Sequence, residues 1–183
     1  MGPGRPTIAL IGMRAVGKTT VGRALAERLE RTFLDLDDET LRFARHAGHE
    51  AESIGALLSK VGRTTFRELE AYAVRRVFEP CLRCVCATGG GVVERADNRA
   101  WLARSATVVW LDAKPETIEA RIAADGGARP GLTGDDPVRE VRSLLRKRAP
   151  LYEGLADLRF EADGSDAAAV QSLADEIARA LAP

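Results

Sequence analysis

The feature that most constrains this chain is a glycine-rich loop between a short apolar segment and a helical pattern. Residues 12–19 read Gly-Met-Arg-Ala-Val-Gly-Lys-Thr and match the phosphate-binding pattern G-x-x-x-x-G-K-[ST]. Glycines let the backbone curl so that N–H groups face phosphate oxygens, and the following helix adds the positive end of its dipole. A chance match in a glycine-rich loop is the alternative, but the strand-then-helix context favours the nucleotide site.

The residues of this loop predict how ATP and Mg²⁺ would be held. Lys18 is expected to reach the β- and γ-phosphates, because a point charge on a flexible stem can follow a moving phosphoryl group. The hydroxyl of Thr19 is expected to bind Mg²⁺. The predicted nucleotide-binding residues of the loop are Gly12, Ala15, Val16, Gly17, Lys18, Thr19 and Thr20.

Hydrophobic periodicity predicts alternating strands and helices. The strand candidates are 7–11, 33–35, 84–87, 107–111 and 158–160. Helical patterns cover about 18–30, 38–46, 53–60, 63–79, 97–104, 115–124, 138–148 and 166–181. Short apolar strands fit burial on both faces, so we predict an α/β fold in three layers, with a five-stranded parallel sheet between helices. Ligands are then expected at the carboxyl ends of the strands.

Composition limits the domain organisation and the partners. With 183 residues, of which 45% are hydrophobic and 30% charged, the chain fits one domain with one core. The 27 acidic and 27 basic residues balance, so neither a nucleic-acid-binding surface nor a membrane-binding patch is indicated. We find no apolar run approaching ~18 residues and no signal-peptide pattern, and so expect a cytoplasmic protein, a monomer, whose partner is a small molecule.

Three cysteines raise the question of a metal or redox site. Cys81, Cys84 and Cys86 crowd one segment, and the first two have C-x-x-C spacing. A structural zinc site needs four ligands, whereas His46 and His49 lie in a separate polar stretch and no second C-x-x-C is present. We therefore interpret Cys84 and Cys86 as small strand residues.

Polar or glycine-rich residues follow the second and third predicted strands. Asp35 and Asp37 end the second strand two residues apart, so both are expected to face the site, one toward Mg²⁺ and one toward a substrate hydroxyl. Capping of the next helix is the alternative for such carboxylates, and we assign Asp38 to it. Residues 89–91 are three glycines, which form either a plain turn or a place where backbone amides approach a ligand closely.

Three arginines lie beyond the strands. Arg67 follows an aromatic residue on a predicted helix, and Arg148 begins Arg-Ala-Pro-Leu-Tyr. A single arginine is usually a solvated surface charge. Arg129, however, lies in a glycine-rich segment typical of a closing lid, from which it would bring positive charge to a transferring phosphoryl group.

Taken together in chain order, these residues resemble the shikimate kinase family over nearly the whole chain. The matching pieces are 12–19, Asp35-Leu36-Asp37, Ser53-Ile54, Gly62-x-x-x-Phe66-Arg67-x-x-Glu70, 88–91, Arg129-Pro130-x-Leu132 and Arg148-Ala149-Pro150-Leu151-Tyr152. The resemblance implies a nucleoside-monophosphate-kinase-like P-loop fold with a small substrate-binding subdomain, about 36–70, and a lid, about 123–137. It also implies transfer of the ATP γ-phosphate to the 3-hydroxyl of shikimate in aromatic amino-acid biosynthesis.

The resemblance also implies a role for particular residues. Shikimate would be bound by Asp37, Arg67, Gly89, Gly90, Gly91 and Arg148, with Glu70 supporting Arg67. Of these, Arg67 and Arg148 would pair with the carboxylate, and Asp37 and Gly90 with the ring hydroxyls. Mg²⁺ would be held by Thr19 and by Asp35, directly or through water. Lys18, Asp37 and Arg129 would be catalytic, and Arg121 would pack beside the adenine.

The chain departs from the family pattern at three places. Arg63 follows Gly62 where the family often has Glu, and Gly131 replaces a usual apolar residue. Relative to the family pattern, several residues are also inserted around positions 46–51. The first two departures are expected to affect subdomain packing or lid stiffness. The insertion is expected to affect closure over the substrate or an oligomer contact.

Two other functions are compatible with the phosphate loop. A kinase for gluconate or another cyclitol explains the loop equally well, but explains Arg67, Arg148 and the Asp-x-Asp pair less well. A nucleotide-binding sensor without catalysis would require a broken site, whereas Lys18, Thr19 and the other predicted catalytic groups are all present.

Replacing Lys18 by alanine tests the phosphate-loop assignment. We expect a folded protein whose turnover falls by several orders of magnitude, because the lysine charge acts on the phosphoryl transition state more than on the ground state. Circular dichroism and steady-state kinetics check the two parts. Turnover above about a tenth of the wild-type value would contradict the assignment.

Overall fold

The central layer of the protein is one sheet of five parallel strands. The computed structural model describes residues 7–80, 82–124 and 137–182, with the backbone alone at 137–139. The strands are β1 Thr7–Ile11, β2 Thr32–Asp35, β3 Cys84–Ala87, β4 Ala106–Asp112 and β5 Leu158–Glu161. Their order across the sheet is β2-β3-β1-β4-β5, and every neighbouring pair is parallel. All five predicted strands are thereby confirmed.

Helices cover both faces of this sheet. They are α1 Lys18–Arg28, α2 Leu36–His46, α3 Ile54–Phe78, α4 Ala96–Ser105, α5 Pro115–Ala124, α6 Pro137–Glu153 and α7 Ala167–Ala180. The β1-to-β2 connection runs across the sheet in the opposite direction to the later ones. Because crossovers between parallel strands are right-handed, α1 lies on one face and α3 and α4 lie on the other. Helix α7 packs against α1, which completes the predicted three layers.

The core is built around β1. All five of its residues are buried, and β3 is buried throughout as well, as expected for strands covered on both faces. The edge strands β2 and β5 are different, because they contain half-buried and exposed residues. The prediction that all short strands are buried on both faces is therefore wrong at the edges, where each strand has a neighbour on one side only.

Helix α3 contains a break at Gly62. The two helices predicted at 53–60 and 63–79 form one helical run, interrupted where Gly62 has φ 77° and ψ 165°. This backbone conformation is one that residues with a Cβ avoid. The break changes the direction of the chain between the amino-terminal part of α3 and the part that carries Arg67.

Helix α6 is longer than predicted. It was expected to end at residue 148, two residues before a proline, yet it continues through Pro150 to Glu153. Tyr152 is completely buried and its hydroxyl donates a hydrogen bond to the carbonyl oxygen of Gly90. This tertiary contact explains why the helix continues, since it offsets the backbone hydrogen bond that a proline removes.

Several other predictions fall on connections or outside the described residues. The apparent insertion near 46–51 lies in the loop between α2 and α3, where the His49 amide donates to the Ala44 carbonyl oxygen at 2.8 Å. Cys84 and Cys86 are buried strand residues, and burial raises the pKa of Cys86 well above its usual value. Cys81, Arg129 and Gly131 lie outside the described residues, as does most of the predicted lid. No helix within the described ranges is long and apolar enough to cross a membrane.

Gly62→Ala should show the cost of the α3 break. No other heavy atom lies within 4 Å of an added Cβ, so the effect comes from the backbone conformation alone. We expect destabilisation by about 1–3 kcal/mol in urea unfolding. Ser59→Ala, at an exposed position in the same helix, serves as the control and should change stability by no more than about 0.5 kcal/mol. Equal effects of the two substitutions would contradict this explanation.

Candidate functional site

The phosphate loop connects β1 to α1 at the middle of the sheet. Gly12 has φ 140°, and a Cβ added there would lie 2.2 Å from the carbonyl oxygen of Leu111, at the end of β4. Gly17 has φ 104° and precedes the first residue of α1. Ala15 also has a positive φ, 61°, which is uncommon for a residue with a side chain. The loop therefore curls as the sequence pattern predicts.

Lys18 lies across this loop. Its Nζ donates to the carbonyl oxygens of Gly12 at 3.0 Å and Met13 at 2.7 Å, and the side chain is buried. The first N–H groups of α1 have no partner within the helix, so they are available to an anion at this end. The ammonium charge and the helix end thus face the same small space.

A cavity of about 580 Å³ opens in front of the loop. Of the residues predicted to bind nucleotide, those that line it are Ala15, Val16, Gly17, Lys18, Thr19, Thr20 and Arg121. Gly12 contributes by its carbonyl oxygen, which accepts from Lys18. The structure therefore brings together every predicted nucleotide residue that it describes.

Arg121 fastens the loop to the far edge of the sheet. Its Nη1 donates to Val16 at 3.0 Å, and its Nη2 donates to Ala162 at 2.9 Å and Gly164 at 2.8 Å, in each case to a carbonyl oxygen. Because these hydrogens are used within the protein, a ligand can meet only the face or the remaining edge of the guanidinium group. Such a face is suited to a planar ring.

Thr19 and Asp35 meet beside the loop. The Thr19 hydroxyl donates to Oδ2 of Asp35 at 2.9 Å, which brings together the two predicted magnesium ligands. Within the described residues, no group of three or more His, Cys, Asp or Glu side chains could hold a metal by itself. Two oxygen ligands fit Mg²⁺, which usually keeps water and phosphate oxygens in its coordination shell.

The role of Asp38 as helix cap was predicted wrongly. Helix α2 begins at Leu36, and its cap is Asp35, whose Oδ1 accepts from the Asp37 amide at 3.0 Å. Asp37 and Asp38 both lie in the first turn. The end of a short strand and the start of the next helix are hard to separate by hydrophobic pattern. The sequence therefore placed the start of α2 two residues too late. Asp35 and Asp37 nevertheless both line the nucleotide cavity, as expected.

A second cavity, of about 480 Å³, adjoins the first. The two share Arg14, Asp37, Asp38, Gly89 and Gly90 as lining residues. One wall of the second cavity is apolar and comes from α2 and from α3, on both sides of its break at Gly62. That wall comprises Leu41, Ile54, Leu58 and Phe66.

The other wall of the second cavity is cationic. Nη1 of Arg67 donates to both carboxylate oxygens of Glu70, at 2.9 and 2.8 Å. Burial raises the pKa of Glu70, and the charge of Arg67 opposes that rise. Gly91 lies against this arginine, since an added Cβ would be 2.1 Å from Arg67 Nη2. The predicted pair of Arg67 and Glu70 is thus present, with the glycine providing its space.

Arg148, the second predicted carboxylate-binding arginine, lies in the same wall. Its side chain is only 1% exposed, and its Nε and Nη2 donate to Glu94 Oε1 at 2.9 and 2.7 Å. Glu94 Oε2 also accepts from Arg63 at 2.9 Å and from Arg67 at 3.4 Å. The departure at Arg63 therefore has a partner across the cavity.

Glu94 was missed by the sequence analysis. Burial alone would raise its pKa, but the hydrogen bonds and charge of Arg148, the charge of Arg67 and the hydrogen bond from Arg63 lower the pKa to about 2. The signal was indirect: a buried arginine needs a carboxylate partner, and none had been assigned to Arg148. A search for a carboxylate partner of Arg148, rather than for a motif, could have identified Glu94.

Arg14 was missed as well, because it occupies a variable position of the loop pattern. Its Nη2 lies 3.0 Å from Oε2 of Glu140, near the start of α6, and both side chains are largely buried. The residue lines both cavities. This ion pair therefore connects the phosphate loop with α6 beside the junction of the two cavities.

Comparison with known proteins agrees with this geometry. The family model described as shikimate kinase matches residues 14–182. The chain belongs to the shikimate kinase family. A shikimate kinase of Moorella thermoacetica is 41% identical over 177 residues, covering 95% of this chain and 93% of the relative. Another, of Nitratidesulfovibrio vulgaris, is 40% identical over 168 residues, covering 91% and 92%.

Solved structures of the family have the same fold. The shikimate kinase of Acinetobacter baumannii, in complex with shikimate, has a TM-score of 0.82 and 35% identity, covering 96% of this kinase and 92% of that chain. The Bacteroides thetaiotaomicron enzyme has a TM-score of 0.79 and 30% identity, covering 96% and 97%. The kinase is thus an ATP-dependent phosphotransferase with shikimate kinase activity in aromatic amino-acid biosynthesis.

Gly91→Ala should displace Arg67 in this kinase. The added methyl group overlaps the guanidinium group, so we expect the Michaelis constant for shikimate to rise at least tenfold while that for ATP changes less than about twofold. Gly48→Ala is the control: an added Cβ there meets no atom within 4 Å, so the only cost is backbone strain at φ 84°, which should change neither Michaelis constant. Steady-state kinetics with each substrate varied in turn decides. An unchanged Michaelis constant for shikimate would contradict the predicted role of Arg67 in binding it.

Proposed function

We propose that ATP binds in the first cavity, shikimate binds in the second, and the γ-phosphate passes to the shikimate 3-hydroxyl where the two cavities meet. The observation that carries the proposal is their shared lining by Asp37, Gly89 and Gly90. This places a carboxylate and two glycines between a phosphate loop and a cationic wall. Such an arrangement suits a reaction between an anionic nucleotide and an anionic acceptor.

On the nucleotide side, the backbone N–H groups of 12–19 and the ammonium group of Lys18 would hold the β- and γ-phosphates. Lys18 would exchange its bonds to the Gly12 and Met13 carbonyl oxygens for phosphate oxygens. Thr19 and Asp35 would hold Mg²⁺, which neutralises charge on the phosphates when it is bound. Arg121 would keep the loop in place and present a planar surface to the adenine.

On the acceptor side, Arg67 and Arg148 would pair with the shikimate carboxylate. Two fixed guanidinium groups orient a small anion better than one, because each supplies a directed pair of N–H donors. Glu70 supports Arg67. Because Gly89, Gly90 and Gly91 have no side chains, Asp37, the phosphate loop and Arg67 can approach the backbone of the 89–91 turn closely. The apolar wall would cover the unsubstituted side of the ring.

Asp37 would orient the attacking hydroxyl. The hydroxyl oxygen forms the new bond to the γ-phosphorus while the bond between that phosphorus and the β,γ-bridging oxygen breaks, which releases ADP. The hydroxyl proton passes to Asp37 or, late in the reaction, to a phosphoryl oxygen. A loose transition state needs little activation of the nucleophile, so positioning is the larger contribution of Asp37.

Three further assignments belong to this proposal. Arg129 would add positive charge to the transferring group, a role that rests on the resemblance of its sequence segment. The chain would work as a monomer. It would act in the cytoplasm, in keeping with buried, unpaired thiols at Cys84 and Cys86.

A coupled assay of ADP release tests the acceptor. The purified protein is given ATP and Mg²⁺ with shikimate, quinate, gluconate or a nucleoside monophosphate in turn. We expect the highest kcat/KM for shikimate, because only an acceptor with both a carboxylate and suitably placed hydroxyls reaches the arginine wall and Asp37 together. A higher value for gluconate would instead support the rival sugar-acid kinase.

Asp37→Asn and Arg67→Ala should separate orientation from binding. Loss of the Asp37 charge should appear mainly in turnover, by about a hundredfold or more, whereas loss of Arg67 should weaken shikimate binding and slow turnover. ATP binding should be spared in both. Titration calorimetry with shikimate and with ATP measures the binding steps. If both variants bound shikimate like the wild type and kept its turnover, the acceptor assignment would be wrong.

A further inference from the structure

One carboxylate accepts hydrogen bonds from most of the arginines that line the second cavity, which we call the acceptor cavity because shikimate is proposed to bind there. Among the described lining residues, Arg63, Arg67 and Arg148 each donate to Glu94. The Glu94 side chain is 13% exposed, and that of Arg148 is 1% exposed. Charge interactions at this depth are screened far less than on the surface.

Glu94 carries its negative charge at neutral pH. The three arginines hold its pKa at about 2 despite the opposing effect of burial. The cluster then contains three positive charges, on Arg63, Arg67 and Arg148, and two carboxylates, on Glu94 and Glu70, the latter bonded by both oxygens to Arg67. The net charge of these five side chains is about that of a single cation, whereas Arg14, Asp37, Asp38 and Glu52 add charges of both signs elsewhere in the cavity lining.

We propose that Glu94 is a specificity-determining residue that sets the acceptor cavity to favour a monoanion. The proposal rests on the function proposed above, in which this cavity takes the acceptor carboxylate. Glu94 acts through the arginines: it holds Arg148 and Arg67 in place and cancels part of their positive potential. Without its charge, the three arginines would attract small dianions more strongly than the single carboxylate of the acceptor.

This proposal makes a quantitative distinction between ligands. The interaction of a ligand with an electrostatic potential is proportional to the ligand's charge. Removing one negative charge should therefore change the logarithm of the affinity about twice as much for a dianion as for a monoanion. A purely structural role for Glu94 would not produce that ratio.

Glu94→Gln removes the charge and keeps the shape. The glutamine carbonyl oxygen can still accept from Arg148 Nε and Nη2, so the arginine retains a partner. Arg63→Met makes the opposite change, because it removes a positive charge from a half-exposed side chain. The double variant E94Q/R63M restores the wild-type net charge. Arg28→Met is the control, since Arg28 forms an exposed ion pair with Asp175.

The test measures competition with shikimate by titration calorimetry, with ADP and Mg²⁺ saturating so that the phosphate loop is occupied. The probes are benzoate and phthalate, which share a ring and carry one and two carboxylates. In E94Q we expect benzoate to bind about threefold tighter and phthalate about tenfold tighter. R63M should weaken benzoate binding about threefold and phthalate binding about tenfold, E94Q/R63M should return both affinities to the wild-type values, and R28M should change neither.

Two results would overturn the proposal. One is an equal shift of the two probes, or none, in E94Q; the other is a double variant that fails to restore the wild-type ratio. If E94Q does not fold, as judged by circular dichroism, R63M alone decides, because phthalate must then lose more affinity than benzoate. The proposed function fails separately, if the wild-type protein neither binds nor phosphorylates shikimate.

Discussion

The close approach of backbone to backbone at the carboxyl edge of the sheet is the constraint on which the site depends. Gly12 leaves no room for a side chain beside the Leu111 carbonyl oxygen, and a Cβ on Gly90 would lie 2.9 Å from the Arg14 amide nitrogen. These contacts join the ends of β1, β3 and β4. Because the strands are parallel and β1 is central, the phosphate loop and the 89–91 turn become neighbours.

The nucleotide half and the acceptor half of the site, on either side of that contact, are stabilised by different interactions. The nucleotide half is made mostly of backbone: a curled loop, a helix end and the carbonyl groups that Arg121 and Lys18 hold. The acceptor half is made of charged side chains. Buried charges there are stable only in pairs, and removing one partner of such a pair typically costs about 3–5 kcal/mol. The buried arginines of the cationic wall are therefore stabilised by their carboxylate partners, Glu70 and Glu94.

The sequence predicted the first half better than the second for this reason. A backbone cradle needs glycines and a lysine at fixed spacing, so its pattern is local and can be read directly. Glu94 and Arg14 belong to pairs whose members are 54 and 126 residues apart in the chain. The pattern of neighbouring residues in the sequence does not indicate which distant charges will pair. The predicted end of α6 was wrong for the same reason. The helix continues past Pro150 because Tyr152 forms a hydrogen bond with Gly90, which is distant in sequence.

By itself, the sequence determined the order of elements along the chain. It showed which segments are apolar, where the phosphate loop begins, and which glycines and arginines are available. Those properties depend on residues close together in sequence. Only the tertiary structure decided that Asp35 caps α2 while meeting Thr19, and that Arg63, a departure from the family pattern, meets Glu94. The physical reason is that charge pairing and burial depend on distance in space, which packing of the helices on the sheet sets.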